Sequence, residues 1–509
     1  MALLKAHPSS GPCLAVLACT SLLTLIGLAG RQGRAGCAEH VRKFLEWPTL
    51  RAIHEVRAAC TDDGDALAAS SDLRSAPWCV NDPDARAWAA RYAELRGVNL
   101  GGWLLMERWL VGGNAYVNTT CCGRVESPYN GTACSTATSE LTLTIELRAR
   151  GELSKIDVFR DAYVTQGDFA LLRARGVNSV RLPIGYWIVD PAVLPRDVGF
   201  HQGAGLRHVD DAVRWAGASG LSVVLELHGA PGGQSGAQTT GSQDHAWTPS
   251  SFNASASVEI LRTLAQRYAA AQNVIALGLV NEPELPVDTL LPFYEKAIRA
   301  IREHMPASRV AVVINLFSER GLLAIATDAW RVFNVQLTPA RGFANIIFDL
   351  HIYYAFLPQQ LADTSLATVT GTLVWVQSLL TQVTGRPVFV GEWSLRLPGW
   401  GTAVGDEFGA LTPSAQNATL QRFATNQIRG ISRAARSDVQ PRLGGAFWSW
   451  NAPVLSAVRG PGCVSGEQAQ WGYNVSLNRG WIVPSQWSAP SHVAERDTDS
   501  DTEAETETH

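Results

Sequence analysis

"VIALGLVNEPELPVDTLLPFYEKAIRAIREHMPASRVAVVINL", residues 274–316, sets the fold. Residues 274–280 are a continuous apolar run, too short for a free-standing helix and without the polar alternation of a half-exposed strand. They read as a strand buried on both faces. Residues 289–305 then carry apolar side chains at helical spacing, with charges on the other side. Residues 309–316 are a second apolar, β-branched run. Strand, amphipathic helix, strand is the repeating unit of a parallel sheet covered by helices.

The unit recurs on both sides. Apolar runs stand at 96–100, 179–184, 222–227, 274–280, 309–316, 346–351, 387–392 and 444–450, and helical patterns such as 257–271 separate most of them. Eight such units predict an α/β fold, a (β/α)8 TIM barrel. The competing layout is a doubly wound open sheet. No GxGxxG or GxxxxGK[ST] follows any run, which removes the nucleotide-binding reason for that layout.

In a barrel, chemistry sits at the C-terminal ends of the strands. The run at 274–280 ends in Asn281-Glu282, an abrupt amide and carboxylate after seven apolar residues. The second run carries Arg181. The third ends in Glu226-Leu227-His228, the sixth in Asp349-Leu350-His351 with Tyr353 beyond, the seventh in Glu392-Trp393 and the eighth in Phe447-Trp448. Two carboxylates from separate strands suit glycosidic chemistry, in which one protonates the leaving oxygen and the other attacks the anomeric carbon. An isolated Glu at a strand end is more often a rim ion pair. Two beside Asn, His, Tyr and Trp favour a site. The pairs Glu226/His228 and Asp349/His351 place acid and imidazole on one strand face. That arrangement admits a metal hydrolase. The blander reading, in which the acids orient groups below the site, is preferred because neither pair has another His nearby in sequence. No metal and no cofactor are expected.

The chain has 509 residues, and a formal net charge of −4 with no Lys/Arg block excludes nucleic acid as an expected partner. Its 17 tryptophans are assigned mostly to the core, although indoles also stack on sugars. Residues 1–38 read as a signal peptide, or as a signal anchor if uncleaved, and only the latter would give a membrane contact. Residues 39–93 read as an N-terminal extension of unknown role, and 94–480 as the barrel with a Cys-rich loop at 111–152. Residues 481–509 read as a C-terminal tail, acidic and disordered from about 495. Six cysteines beyond the leader (Cys60, Cys79, Cys121, Cys122, Cys134, Cys463) and five sequons, at Asn118, Asn130, Asn253, Asn417 and Asn474, predict a secreted, disulfide-bonded glycoprotein. A monomer is expected.

Seven segments in order, "RGVNLGGWLLMERWL" (96–110), "FRDAYVTQGDFALLRARGVNSVRLPIGYW" (159–187), "LELHGAPGGQSG" (225–236), "VNEP" (280–283), "DLHIYYAF" (349–356), "GEWS" (391–394) and "FWSW" (447–450), resemble the exo-β-1,3-glucanase group of glycoside hydrolase family 5. The resemblance runs from about residue 94 to 480. It implies a TIM barrel, a retaining double displacement, no cofactor and a β-glucan polysaccharide or oligosaccharide as substrate. It implies Glu282 as acid/base and Glu392 as nucleophile. Arg181, His228, Asn281, His351 and Tyr353 match residues around the scissile sugar, Glu107 an acid at the terminal sugar, and Trp448 an aromatic floor. Phe356 matches one half of an aromatic entrance clamp.

Two departures stand out. Where the family continues "GSQNG" with Phe-Asp, this chain has Ala237-Gln238, so the other half of the clamp is missing. A Lys after the last Trp is Asn451 here. Neither touches the two glutamates. They leave exo action open against an endo-acting β-1,3- or β-1,6-glucanase. A transglycosylase and a non-catalytic glucan-binding relic are the remaining alternatives.

Overall fold

The computed structural model describes residues 80–92, 94–111, 128–129, 135–189, 199–316, 329–374, 385–432, 442–451 and 468–487. The predicted leader, all six cysteines, two sequons (Asn118 and Asn130) and the acidic stretch from 495 lie outside them.

Eight parallel strands close into a barrel in chain order. They are β1 (Leu95–Asn99), β2 (Ser179–Gly185), β3 (Ser222–Gly229), β4 (Val274–Gly278), β5 (Ala311–Asn315), β6 (Ile346–Ile352), β7 (Val388–Trp393) and β8 (Arg442–Phe447). β1 pairs with β8 to complete the ring. Every predicted run is a strand, so the barrel reading holds and the open sheet does not. Two runs end two or more residues earlier than expected. β4 stops at Gly278, although Leu279 N–H still donates to Val313 O (3.1 Å). β8 stops at Phe447, because Ser449 N–H turns to Trp471 O (2.7 Å) and Trp450 N–H to Asn99 O (2.8 Å).

The barrel interior is layered. Its lower part is apolar, with Val224, Ala276, Ala311, Val313, Ile347, Phe389 and Ala446 packed together. Towards the C-terminal ends the buried side chains become polar: Asn99, Arg181, Glu226, Asn315 and Asp349. Two glycines make room for the acids. A Cβ at Gly278 would lie 2.9 Å from Glu226 Cγ, and one at Gly391 would lie 2.3 Å from Asp349 Oδ1. The apolar layer holds the barrel shut, and the polar layer forms the floor of its mouth.

The helices cover the outside. The predicted patterns at 257–271 and 289–305 are helices Ala254–Arg267 and Val287–Arg302. Three segments differ from the sequence expectation. Within the Cys-rich loop, Glu140–Ala149 is a helix, started by a Ser139/Thr142 capping box and buried through Leu143 and Leu147. The end of the N-terminal extension, Pro83–Arg91, is a helix that plugs the barrel bottom. Trp88 is fully buried there and donates from Nε1 to Ile275 O (2.9 Å). At the start of the expected tail, Trp481, Ile482 and Trp487 are buried. Among the described residues no helix is long and apolar enough to cross a membrane.

Candidate active site

The chain leaves β4 by a sharp bend. Asn281 N–H bonds Leu227 O (3.1 Å), and Glu282 takes a left-handed backbone conformation (φ 40°). That bend turns the Glu282 carboxylate back over the barrel mouth. Glu392 reaches the same place from β7. One carboxylate oxygen of Glu282, one of Glu392 and a ring nitrogen of His351 all lie within 4.8 Å of one another.

Arg181 organises the floor. Nη1 donates to Glu392 Oε1 (2.7 Å) and Asn99 Oδ1 (2.8 Å). Nη2 donates to Glu226 Oε1 (2.5 Å) and Asn281 Oδ1 (3.0 Å). Asp349 Oδ2 stands 3.7 Å from Nη2. Burial alone would weaken the guanidinium's hold on its proton, but Glu226, Glu392 and Asp349 outweigh it and the pKa rises. Glu226 is also pulled two ways. Burial opposes its charge, yet Arg181 and the His228 hydrogen bond bring its pKa down to about 2.

Above this floor, His351 bridges the two glutamates. Its Nδ1 is 2.6 Å from Glu282 Oε1 and 3.4 Å from Glu392 Oε2, and its Nε2 is 3.3 Å from Asp349 Oδ2. Burial disfavours the imidazolium, but Glu392 and Asp349 more than offset that and raise the pKa well above the usual histidine range. Tyr353 Oη donates to Glu392 Oε2 (2.5 Å). Burial and the Glu392 charge keep that phenol protonated. Glu392 itself is pushed above the ordinary carboxylate range by burial, with His351 and Arg181 working against the push.

Glu107 lies 1% exposed at the side of the site. Oε2 accepts from Trp109 Nε1 (2.7 Å), and Oε1 is buried with no hydrogen-bond partner. Burial lifts its pKa to about 7 against the pull of His228, with Glu392 and Glu282 adding to the rise. His228 is held by Glu226 Oε2 at Nδ1 (3.0 Å) and lies face to face with Trp448, ring centroids 5.6 Å apart. Phe356, 71% exposed, meets Tyr353 edge-on at 5.8 Å. All ten residues singled out from the sequence therefore converge on one mouth.

Four further residues belong here. Asn99 ties Arg181 to β7 and β8 by donating to Gly391 O (2.8 Å) and Ala446 O (3.1 Å). Gln234 clamps the β3 and β4 exits, donating to His228 O (2.6 Å) and Asn281 O (2.9 Å) while accepting from Ala230 N–H (3.0 Å). Trp471 contacts Trp109, Tyr353 and Phe356, with centroids 5.2, 5.1 and 6.0 Å away. Asn99 ends β1, one residue before the end of the predicted run at 96–100. Gln234 and Trp109 were quoted only as parts of the motifs at 225–236 and 96–110, and Trp471, at the end of the short turn Gln468–Trp471, carried no signal.

Glu282, His351 and Glu392 are the one group among the described residues with ligand atoms close enough for a metal ion. The donor set does not suit one. His351 Nδ1 is already engaged with Glu282 Oε1 at 2.6 Å, and the Arg181 cation already sits against Glu392. Of the departures, Ala237 is exposed before a short turn at Gln238–Thr240, and Asn451 donates to Tyr163 O (3.3 Å) at the edge of the mouth.

The model of the Cellulase family (glycosyl hydrolase family 5) matches residues 147–421. "Probable glucan 1,3-beta-glucosidase A" of Aspergillus niger is 30% identical over 353 residues, covering 68% of this chain and 70% of the relative. The Emericella nidulans protein of the same name is 28% identical over 385 residues, covering 71% and 86%. Among solved structures, rutinosidase from Aspergillus niger superposes with a TM-score of 0.57 at 16% identity, covering 77% of this chain and 99% of that one, which supports the fold alone. The chain is a member of glycosyl hydrolase family 5, a glycosidase that hydrolyses O-glycosyl bonds.

Proposed function

We propose that the protein releases glucose from the ends of β-1,3-glucan chains with retention, through Glu282 as acid/base and Glu392 as nucleophile. The observation that carries this reading is that one carboxylate oxygen of Glu282 and one of Glu392 lie within 4.8 Å of each other. Retaining glycosidases hold their carboxyl groups about 5–5.5 Å apart, whereas inverting ones leave about 6.5–9.5 Å for a water. The relatives named for glucan 1,3-β-glucosidase activity support the substrate.

The roles follow from the partners. Glu392 accepts from Arg181 and Tyr353, so its ionised form is solvated by fixed donors. It attacks the anomeric carbon from below. Glu282 Oε1 is engaged by His351, which leaves Oε2 to give its proton to the glycosidic oxygen as the bond breaks. The aglycone departs and a glycosyl ester forms on Glu392. Glu282, now ionised, takes a proton from water. The resulting hydroxide attacks the same carbon and frees Glu392. Two inversions restore the β configuration.

Glu107 supports exo action. Its free, buried Oε1 is placed to accept a hydroxyl of a terminal sugar, and Trp448 gives that sugar a floor. Secretion to a glucan-bearing wall is the fitting setting, given the leader-like N-terminus and the exposed sequon residues Asn253 and Asn417. The test is a time course on laminarin, resolved by chain length and anomer. β-Glucose as first product supports the reading. Early mixed oligosaccharides would overturn exo action, and α-glucose would overturn retention.

A further inference from the structure

We propose that Trp400 is a stacking platform for outer glucosyl residues of a long glucan chain, beyond the rim made by Tyr353, Phe356 and Trp471. The inference rests on the glucanase reading and adds a site to it. Trp400 is 70% exposed, and with Phe356 it is one of the two most exposed large apolar side chains among the described residues. Both residues lie on loops leaving the C-terminal ends of neighbouring strands, β6 and β7, on the face that carries the glutamates.

The Trp400 loop is tied to the rim. Leu395 N–H donates to Gln470 O (3.1 Å), and Leu397 N–H donates to Gln470 Oε1 (3.0 Å). Gln470 directly precedes Trp471. Trp400 follows Leu397 by three residues, so their Cα atoms are at most about 11 Å apart. The far side is tied to the Phe356 loop. Asp363 Oδ1 accepts from Ala403 N–H (3.2 Å), and Glu407 Oε2 accepts from Leu366 N–H (2.8 Å).

The ring is also seated. Helix Ala403–Gly409 presents two glycines to the turn before it. A Cβ at Gly409 would come 2.4 Å from the indole, and one at Gly405 would come 2.0 Å from Gly399 O. One part of Trp400 therefore rests on backbone while the rest faces solvent. A pyranose offers a flat C–H face that needs this support and no charged partner. A lone indole is too small for a protein partner, which needs about 800 Å² per side.

The experiment compares wild type with Trp400→Ala and Trp400→Phe on laminaribiose, longer laminari-oligosaccharides and laminarin. The readout is the ratio of kcat/KM on laminarin to that on laminaribiose. The expected result is a ratio about fivefold lower in Trp400→Ala, carried by KM, with most of it restored in Trp400→Phe. The size expected is that of one stacked aromatic. An unchanged ratio in Trp400→Ala overturns the platform while leaving the glucanase reading intact. A wild type that cleaves none of the series overturns both.

Discussion

Arg181 Nη1 donates to Glu392 Oε1 at 2.7 Å, and both side chains are buried. The same guanidinium holds Glu226 through Nη2, so two buried acids depend on one planar fork. Lysine has a single ammonium and cannot span both. Arg181→Lys is expected to lower kcat by about 10²-fold, the size of one lost preorganised donor. It is also expected to cost about 3 kcal/mol of stability, because one of the two buried acids loses its guanidinium partner. Steady-state kinetics and urea denaturation of the same preparation check both numbers.

Glu107 gives a pH dependence of stability. Its pKa is about 7 in the folded chain against 4.5 for an ordinary glutamate, so between those pH values the folded state keeps a proton that the unfolded chain loses. Stability therefore falls as pH rises from 4.5 to 7, and the full penalty is present above 7. A shift of this size corresponds to about 3 kcal/mol. Glu107→Gln cannot ionise. It is expected to match wild type in denaturant midpoint at pH 4 and to exceed it at pH 8, while KM for glucan rises. Equal midpoints at both pH values would show that this carboxyl does not titrate in that window.

With Glu392 as the proposed nucleophile, the acid limb of activity is expected to follow its ionisation. Burial raises its pKa, and only the ionised form attacks, so activity falls with acidification at a pH above the ordinary carboxylate value. Tyr353→Phe removes the donor at Oε2 and favours the protonated acid further. The acid limb of kcat/KM should move towards neutral pH, with kcat at the optimum about tenfold lower. An unmoved limb would assign it to another group.

The eight strands were legible because each is an uninterrupted apolar run, a pattern that burial on both faces enforces. The same rule placed Glu282, Glu392 and His351, since strand ends aim at the mouth. It also passes through Asn99 and Asn315, the last residues of β1 and β5, each hidden one residue inside the end of an apolar run, at 96–100 and 309–316. What stayed hidden depends on distance in sequence. Trp471 meets Tyr353 and Phe356 more than 100 residues away through a loop with no periodicity. Gly278 and Gly391 matter only because Glu226 and Asp349 fill the space beside them. Burial of the Trp88 helix under the barrel was equally invisible, because its polar composition resembles a surface extension.

Gln234 is a test of that hidden layer. Its amide makes three buried hydrogen bonds that join the β3 and β4 exits. Gln234→Ala leaves one N–H and two carbonyls without partners. The expected cost is about 3 kcal/mol, at about 1 kcal/mol for each. Because those carbonyls belong to His228 and Asn281, kcat should fall about tenfold while the far-UV circular dichroism stays native. Loss of stability with full kcat would make Gln234 a fold residue and not a site residue.

The roles of the two glutamates separate by azide rescue. Removing Glu392 leaves space below the anomeric carbon, and azide can enter it. With an aryl β-glucoside, Glu392→Ala plus azide breaks the aryl bond in one displacement, so the product is the α-glycosyl azide. Removing Glu282 leaves the nucleophile intact. An activated aryl group departs without a proton, the ester on Glu392 forms, and azide then replaces water in the second displacement. Two inversions give the β-glycosyl azide. Without azide, the turnover of glucan by either variant should fall by at least about 10⁴-fold, as for residues that act as one unit. The anomeric proton in the NMR spectrum of each product decides the outcome. The α azide from Glu282→Ala and the β azide from Glu392→Ala would exchange the two roles. No azide adduct from either variant, with both folded, would remove the covalent intermediate from the mechanism.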